Sequence, residues 1–150
     1  MRALVQRVSN AQVQIDSKQV AAINNGLLVL LGIEHEDTKE DADWLAGKLV
    51  RMRIFQDAGD HMNLSLIDTK GDAIVVSQFT LHASCKKGNR PSFIKAARPE
   101  HAKPLYQYFI SIFEEQLGKV VGTGEFGAMM QVSLTNDGPV TIIIDSKHNI

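Results

Sequence analysis

The sequence predicts a single α/β domain in which strands outnumber helices. Ala11 to Asp16 alternates apolar and polar residues at period two, the mark of a half-buried strand. Gly26 to Ile33 and Ala73 to Val76 are short apolar runs, each suited to a strand covered on both faces. Two later stretches repeat apolar residues at helical spacing. No linker, internal repeat or low-complexity segment divides the 150 residues, so one domain, 1–150, is expected.

Taken in order, Ala3 to Val8 is a first strand, expected to pair with Ala11–Asp16 through a turn at Ser9-Asn10. Asn25-Gly26 is a hairpin signal, because a type I′ turn needs positive φ at both central positions. Thr38 and Asp41 resemble a capping box that opens a helix at about Lys39, with Leu45, Leu49 and Met52 on one face. The strand Ala73–Val76 runs out through Ser77-Gln78-Phe79-Thr80-Leu81 into a loop rich in Gly, Pro, Lys and Ser that lasts to about Pro99. Leu105, Tyr108, Phe109, Ile112 and Phe113 form one face of a second helix, which Gly118 ends. Met129 to Leu134 and Val140 to Ile144 read as two strands around Thr135-Asn136-Asp137-Gly138-Pro139.

Composition excludes several classes of function. A hydrophobic share of 44% and a charged share of 22% are those of an ordinary globule. The longest strongly apolar run, Leu27 to Leu31, is too short to cross a bilayer. Arg7 falls where a signal peptide would keep its apolar stretch, so a cytoplasmic protein is expected. A single cysteine, Cys85, excludes an internal disulfide and a cysteine-based zinc site. The net charge of −1 argues against gripping long nucleic acid by bulk electrostatics. The distribution is less neutral: Lys86, Lys87, Arg90, Lys95 and Arg98 all lie between Asp72 and Glu100, with no acidic residue among them. Such a stretch suits either a few phosphates or a plainly solvated loop.

Three motif matches fail on their context. Gly122-Thr123-Gly124-Glu125-Phe126-Gly127 fits the dinucleotide pattern, but Ala128 to Leu134 favours a strand where that motif needs a helix N-terminus. Ser84-Cys85-Lys86-Lys87 fits the S-x-x-K of serine acyl-enzymes without either companion motif. The five histidines, His35, His61, His82, His101 and His148, show no metal-ligand spacing, so neither a metal nor another cofactor is expected.

Two segments carry chemistry. Thr80 lies where a buried strand meets the basic loop, and is open to reading as a nucleophile, a hydrogen-bond donor or a β-former. Pro139 follows Asn136-Asp137-Gly138, where it either begins a strand or stiffens a protruding turn. Together, Ser77-Gln78-Phe79-Thr80-Leu81 and Asn136-Asp137-Gly138-Pro139-Val140-Thr141 resemble the signatures of the D-aminoacyl-tRNA deacylase family. Gln6-Arg7-Val8 and Gly124-x-Phe126-Gly127-Ala128-x-Met130 match it as well, and the resemblance reaches from the first residues to Asp145.

The resemblance implies a barrel-like core of mixed and antiparallel sheet with two main helices packed outside. It implies a homodimer with each active site at the interface, where a cis Gly138-Pro139 reaches into the partner's site and walls out L-side chains. The substrate is then the 3′ end of aminoacyl-tRNA, bound against Ser77, Gln78, Phe79 and Thr80. The backbone N–H groups of Phe79 and Thr80 face the oxyanion. Carbonyls near Phe126 and Gly138 hold the ammonium group, and Arg7 and Met130 support the site. Lys86, Lys87 and Arg90 would meet acceptor-stem phosphates. Glycine has no side chain to clash, so glycyl-tRNA mischarged on tRNA-Ala is an expected second substrate. Water activation is assigned to the 2′-hydroxyl of the terminal adenosine or, in the older alternative, to Thr80 as nucleophile. The first is favoured because no histidine or carboxylate adjoins Thr80 in sequence. A non-catalytic tRNA-binding module and a different esterase on the same fold are the competing readings.

Overall fold

The computed structural model describes residues 1–148 and 150. Its strands are β1 (Arg2–Ile15), β2 (Lys18–Ile23), β3 (Gly26–Gly32), β4 (Phe55–Gln56), β5 (Met62–Leu64), β6 (Asp72–Ser77), β7 (Gly122–Thr123) and β8 (Gln131–Asp145). Its helices are α1 (Lys39–Arg51), the single-turn α2 (Leu66–Thr69), and α3 (Pro99–Leu117).

β1 decides the arrangement of the others. It is one long strand, where the sequence suggested two joined by a turn at Ser9-Asn10. One edge pairs antiparallel with β8 and the other with β3 and then β2. Val8 faces Gly26 and Ala11 faces Ile23, so β2 and β3 continue a single ladder in which Asn24-Asn25 lies opposite Ser9-Asn10. The two expected turns are therefore the two sides of one bend. The true hairpin turn is Asp16-Ser17, at φ 49° and 64°, the paired positive values of a type I′ turn. Gly26 is required for another reason: a Cβ there would overlap the Asp72 carbonyl oxygen on the neighbouring strand.

The bend also changes which side chains face inward. Ala3 and Val5 are buried in the main core beside α1 and α3. Val8, Ala11 and Val13 enter a second cluster with Leu28, Ile74 and Val76. The alternation slips at Arg7-Val8, where both residues are buried, and ladder irregularities fall at the same place. β6 and β7 then add in parallel to β3, and β2 comes round to meet β7. The sheet thus curls into a nearly closed barrel, with α1 and α3 packed on its outside.

The helices follow their sequence signals closely. The Thr38 backbone N–H donates to Asp41 Oδ2 at 2.9 Å, and Leu45 and Leu49 are fully buried. α3 starts at Pro99 and ends at Gly118, whose φ of 81° lets its N–H reach the Glu114 carbonyl at 2.8 Å. The C-terminal strand pair expected around Thr135–Pro139 is instead the single strand β8, which follows β1 without reversing.

Asp41 also accepts hydrogen bonds from Ser146 Oγ at 2.7 Å and Lys147 Nζ at 3.0 Å. Burial alone would raise its pKa, but Ser146, the Thr38 N–H and Lys147 bring it from 3.8 down to about 2. A depressed carboxylate stabilises the fold above its unfolded value, and that contribution is lost as pH falls through the folded one. Asp41→Asn should therefore cost about 1–2 kcal/mol at neutral pH. The difference should close as pH drops from 3.8 toward 2. Urea unfolding at both extremes checks this, and an equal difference at each would contradict it.

Candidate active site

β3, β6 and β7 run parallel, so their C-terminal ends open on one side of the sheet. Carboxyl ends of parallel strands commonly hold ligands, because the sheet fixes the backbone while the chain beyond is free to turn. The Gln78 N–H donates to the Leu31 carbonyl at 2.7 Å, extending the β3–β6 pairing by one residue. The chain then leaves the sheet in a 3₁₀ turn, Phe79–His82, so Thr80 does not continue the strand. Phe79 and Thr80 open that turn, where backbone N–H groups have no partner within it.

A cleft of about 650 Å³ lies at this end, lined by Ser77, Gln78, Phe79, Phe93, Phe126 and Met130 among others. Phe79 is 56% exposed and meets Phe93 edge-on, with ring centroids 5.2 Å apart. Phe126 tilts against Tyr106 at 5.9 Å, and the Tyr106 hydroxyl donates to the Val75 carbonyl of β6 at 2.8 Å. Burial pushes the Tyr106 phenol up to about 12, so it stays a neutral anchor under the cleft. Met130 crosses directly over Gly124, where a Cβ would overlap its sulfur. The Gly122–Gly127 stretch leads through a turn into β8 with no helix after it, leaving the dinucleotide pattern without its anion site.

Among the described residues no base is hydrogen-bonded to Thr80. Its Oγ1 accepts a hydrogen bond from the Gln78 side-chain amide at 2.5 Å, and an amide cannot take its proton. His82 is buried, with Nδ1 3.7 Å from Glu34 Oε2. Among the described residues no group of three His, Cys, Asp or Glu side chains is arranged to hold a metal.

Other expected residues fall outside the cleft. Ser84 and Ser92 exchange backbone hydrogen bonds of 2.8 and 2.9 Å, closing the neck of a loop whose tip carries exposed Lys86, Lys87 and Arg90. Arg98 does line the cleft, at the start of α3.

The second segment lies elsewhere. β8 pairs Asn136 with Val8 and Thr141 with Gln6, so Asp137–Val140 bulges out opposite Arg7. Arg7, only 6% exposed, donates to the Ile54 carbonyl at 2.7 Å and the Asp137 carbonyl at 3.2 Å, and its Nε lies 3.3 Å from Asp137 Oδ2. The Asn136 side chain closes the neck, donating to the Arg7 and Val140 carbonyls at 3.0 Å each. Gly138-Pro139 is cis, exposed, and not among the residues lining the cleft of its own chain. Val132 lines that cleft, and Gly138 lies six residues further along β8. At about 3.3 Å per residue, that is roughly 20 Å of strand.

Sequence reasoning missed how the turn is held. Arg2 Nη1 donates to the Leu81 carbonyl at 2.8 Å, and Arg2 Nε to Asp145 Oδ2 at 2.9 Å. A lone arginine and a lone aspartate at strand ends carry no motif, and only the pairing of Arg2 with Asp145 across β1 and β8 brings them together.

A family model described as D-Tyr-tRNA(Tyr) deacylase matches residues 4–145. The chain belongs to the D-Tyr-tRNA(Tyr) deacylase family. The D-aminoacyl-tRNA deacylase of Christiangramia forsetii is 65% identical over 147 residues, covering 98% of each chain. A solved structure described as a c-Myc DNA unwinding element binding protein superposes with a TM-score of 0.91 at 38% identity, covering 97% of this chain and 98% of its own. One described as a probable eukaryotic D-amino acid tRNA deacylase shares the fold, with a TM-score of 0.82 at 18% identity over 95% of this chain and 97% of its own. The family match spans the cleft segment, the bulge and Arg7 alike.

Because Arg7 is a buried charge with three oxygen partners, Arg7→Met should leave the Ile54 and Asp137 carbonyls without their donor. The expected loss is about 2–4 kcal/mol. Unfolding in urea checks it, and a wild-type midpoint would show that the bulge does not depend on this side chain.

Proposed function

We propose that this family member hydrolyses the ester bond of D-aminoacyl-tRNA, releasing the free D-amino acid and tRNA. The observation that carries the reading is the separation of the two family segments. The cleft at Ser77–Phe79 offers a pocket and backbone donors, while Gly138-Pro139 projects from the far reach of β8. A homodimer that sets the Gly138-Pro139 of one protomer into the cleft of the other brings the parts together, and two-fold symmetry gives two equivalent sites.

In that assembly the 3′ end of the substrate rests against Ser77, Gln78, Phe79 and Thr80. The N–H groups of Phe79 and Thr80 stabilise the charge that develops on the ester oxygen. Carbonyls near Phe126 and Gly138 hold the substrate ammonium, and backbone at Gly138-Pro139 occupies the space an L-side chain would need. Glycyl-tRNA mischarged on tRNA-Ala passes the same wall. The Gln78 amide that donates to Thr80 cannot act as its base, which favours a backbone role for Thr80 over nucleophilic attack. The 2′-hydroxyl of the terminal adenosine then assists the attacking water. Lys86, Lys87 and Arg90 meet acceptor-stem phosphates from the exposed loop tip. A cytoplasmic location fits such a substrate, and no described helix is long and apolar enough to cross a membrane.

The 38% identical structure is described as binding a DNA element, which keeps a nucleic-acid-binding module in view. The cleft favours catalysis, since a module that only binds phosphates does not need it.

The test is a deacylation assay with D- and L-tyrosyl-tRNA side by side, repeated with Thr80→Ala. D-tyrosyl-tRNA should be hydrolysed and the L-form spared, and the variant should keep substantial activity. Equal rates on both enantiomers, or a loss approaching the roughly millionfold of a deleted covalent nucleophile, would overturn the respective part.

A further inference from the structure

We propose that Arg2, oriented by Asp145, is a positioning residue that fixes the turn presenting the Phe79 and Thr80 N–H groups. The inference rests on the proposed hydrolysis at that turn.

The turn Phe79–His82 is fastened from outside at both ends. At its two ends the turn bonds to itself through Leu81 N–H to Gln78 O at 3.3 Å and Ala83 N–H to Thr80 O at 3.1 Å. At the entrance, the Gln78 N–H holds the chain to β3 at 2.7 Å. At the exit, Arg2 Nη1 takes the Leu81 carbonyl at 2.8 Å, as a cap satisfies the last acceptors of a helix. Phe79 and Thr80 lie between these two fastenings, so releasing the exit frees the residues whose N–H direction matters.

Asp145 makes Arg2 a fixed donor. Its side chain is 2% exposed and accepts Arg2 Nε at 2.9 Å through Oδ2, while Oδ1 accepts the Lys147 N–H at 2.9 Å. Burial would raise this carboxyl, but the Lys147 N–H and the Arg2 guanidinium hold it below its ordinary value, so it remains charged. Arg2 sits opposite both Gly32 of β3 and Asp145 of β8, and reaches from there to the turn. Only the planar guanidinium holds both oxygens at once; a lysine ammonium on a flexible stem is a single point charge.

The experiment compares wild type, Arg2→Gln, Arg2→Lys and Asp145→Asn in steady-state hydrolysis of D-tyrosyl-tRNA, with urea unfolding of each protein alongside. Arg2→Gln tests the idea even if Asp145→Asn does not fold, because the Arg2 side chain is 32% exposed. A misdirected donor pair should lower kcat on the order of ten- to a hundredfold with KM within about twofold. Arg2→Lys should recover part of the loss, and Arg2→Gln with Asp145→Asn together should cost little more than either alone. Folded Arg2→Gln protein with wild-type kcat would overturn the positioning role, as would a loss confined to stability. Inactivity of the wild type on this substrate would instead overturn the proposed function itself.

Discussion

A buried guanidinium sits at the crook of the molecule, and much of the architecture depends on it. Arg7 lies where β1 bends and its inward-facing positions slip by one, so its side chain turns into the interior instead of out to water. A charge there is tolerable only if its donors are met, and the Ile54 and Asp137 carbonyls with the Asp137 carboxylate meet them. Meeting them requires β8 to release Asp137–Val140 from its ladder. The projecting Gly138-Pro139 is thus the counterpart of satisfying one buried charge.

The same bend accounts for the cleft. By turning β1 through its middle, it separates two clusters of core residues and lets β2 come round to β7. The parallel strands β3, β6 and β7 are then aligned so that their ends share one opening. A 3₁₀ turn fastened at both ends crosses the rim of that opening and carries the backbone donors. β8 runs from Val132 in the cleft, past the bulge, to Asp145 behind the turn.

What the sequence revealed, and what it hid, follows from the range of the interactions. α1 and α3 were legible because caps and helical spacing are local, and β3 and β6 because strands covered on both faces must be apolar throughout. The cleft residues were legible only through their resemblance to a family, since a lone threonine after a strand has no chemistry of its own. Ser9-Asn10 and Asn25-Gly26 misled because polar residues and glycine mark turns and bends alike. Only the shared ladder, with Val8 on Gly26 and Ala11 on Ile23, distinguishes the two. The Arg2–Asp145 pair was invisible for the opposite reason. Its partners stand 143 positions apart, and neither belongs to a motif.

The proposed role of Gly138-Pro139 in the cleft of the other protomer is tested most directly by mixing two inactive chains. Gly138→Ala strains a position at φ 122° and sets its Cβ 2.9 Å from Val140 Cγ2, while leaving the cleft residues of its own chain untouched. Gln78→Ala damages the cleft and leaves the bulge untouched. In a dimer of one chain of each kind, one site carries both lesions and the other carries neither. After verified subunit exchange, D-tyrosyl-tRNA hydrolysis should return to about a quarter of the wild-type level, since half the dimers are mixed and each has one intact site. Exchange without any return of activity, or a fully active monomer, would contradict the cross-protomer arrangement.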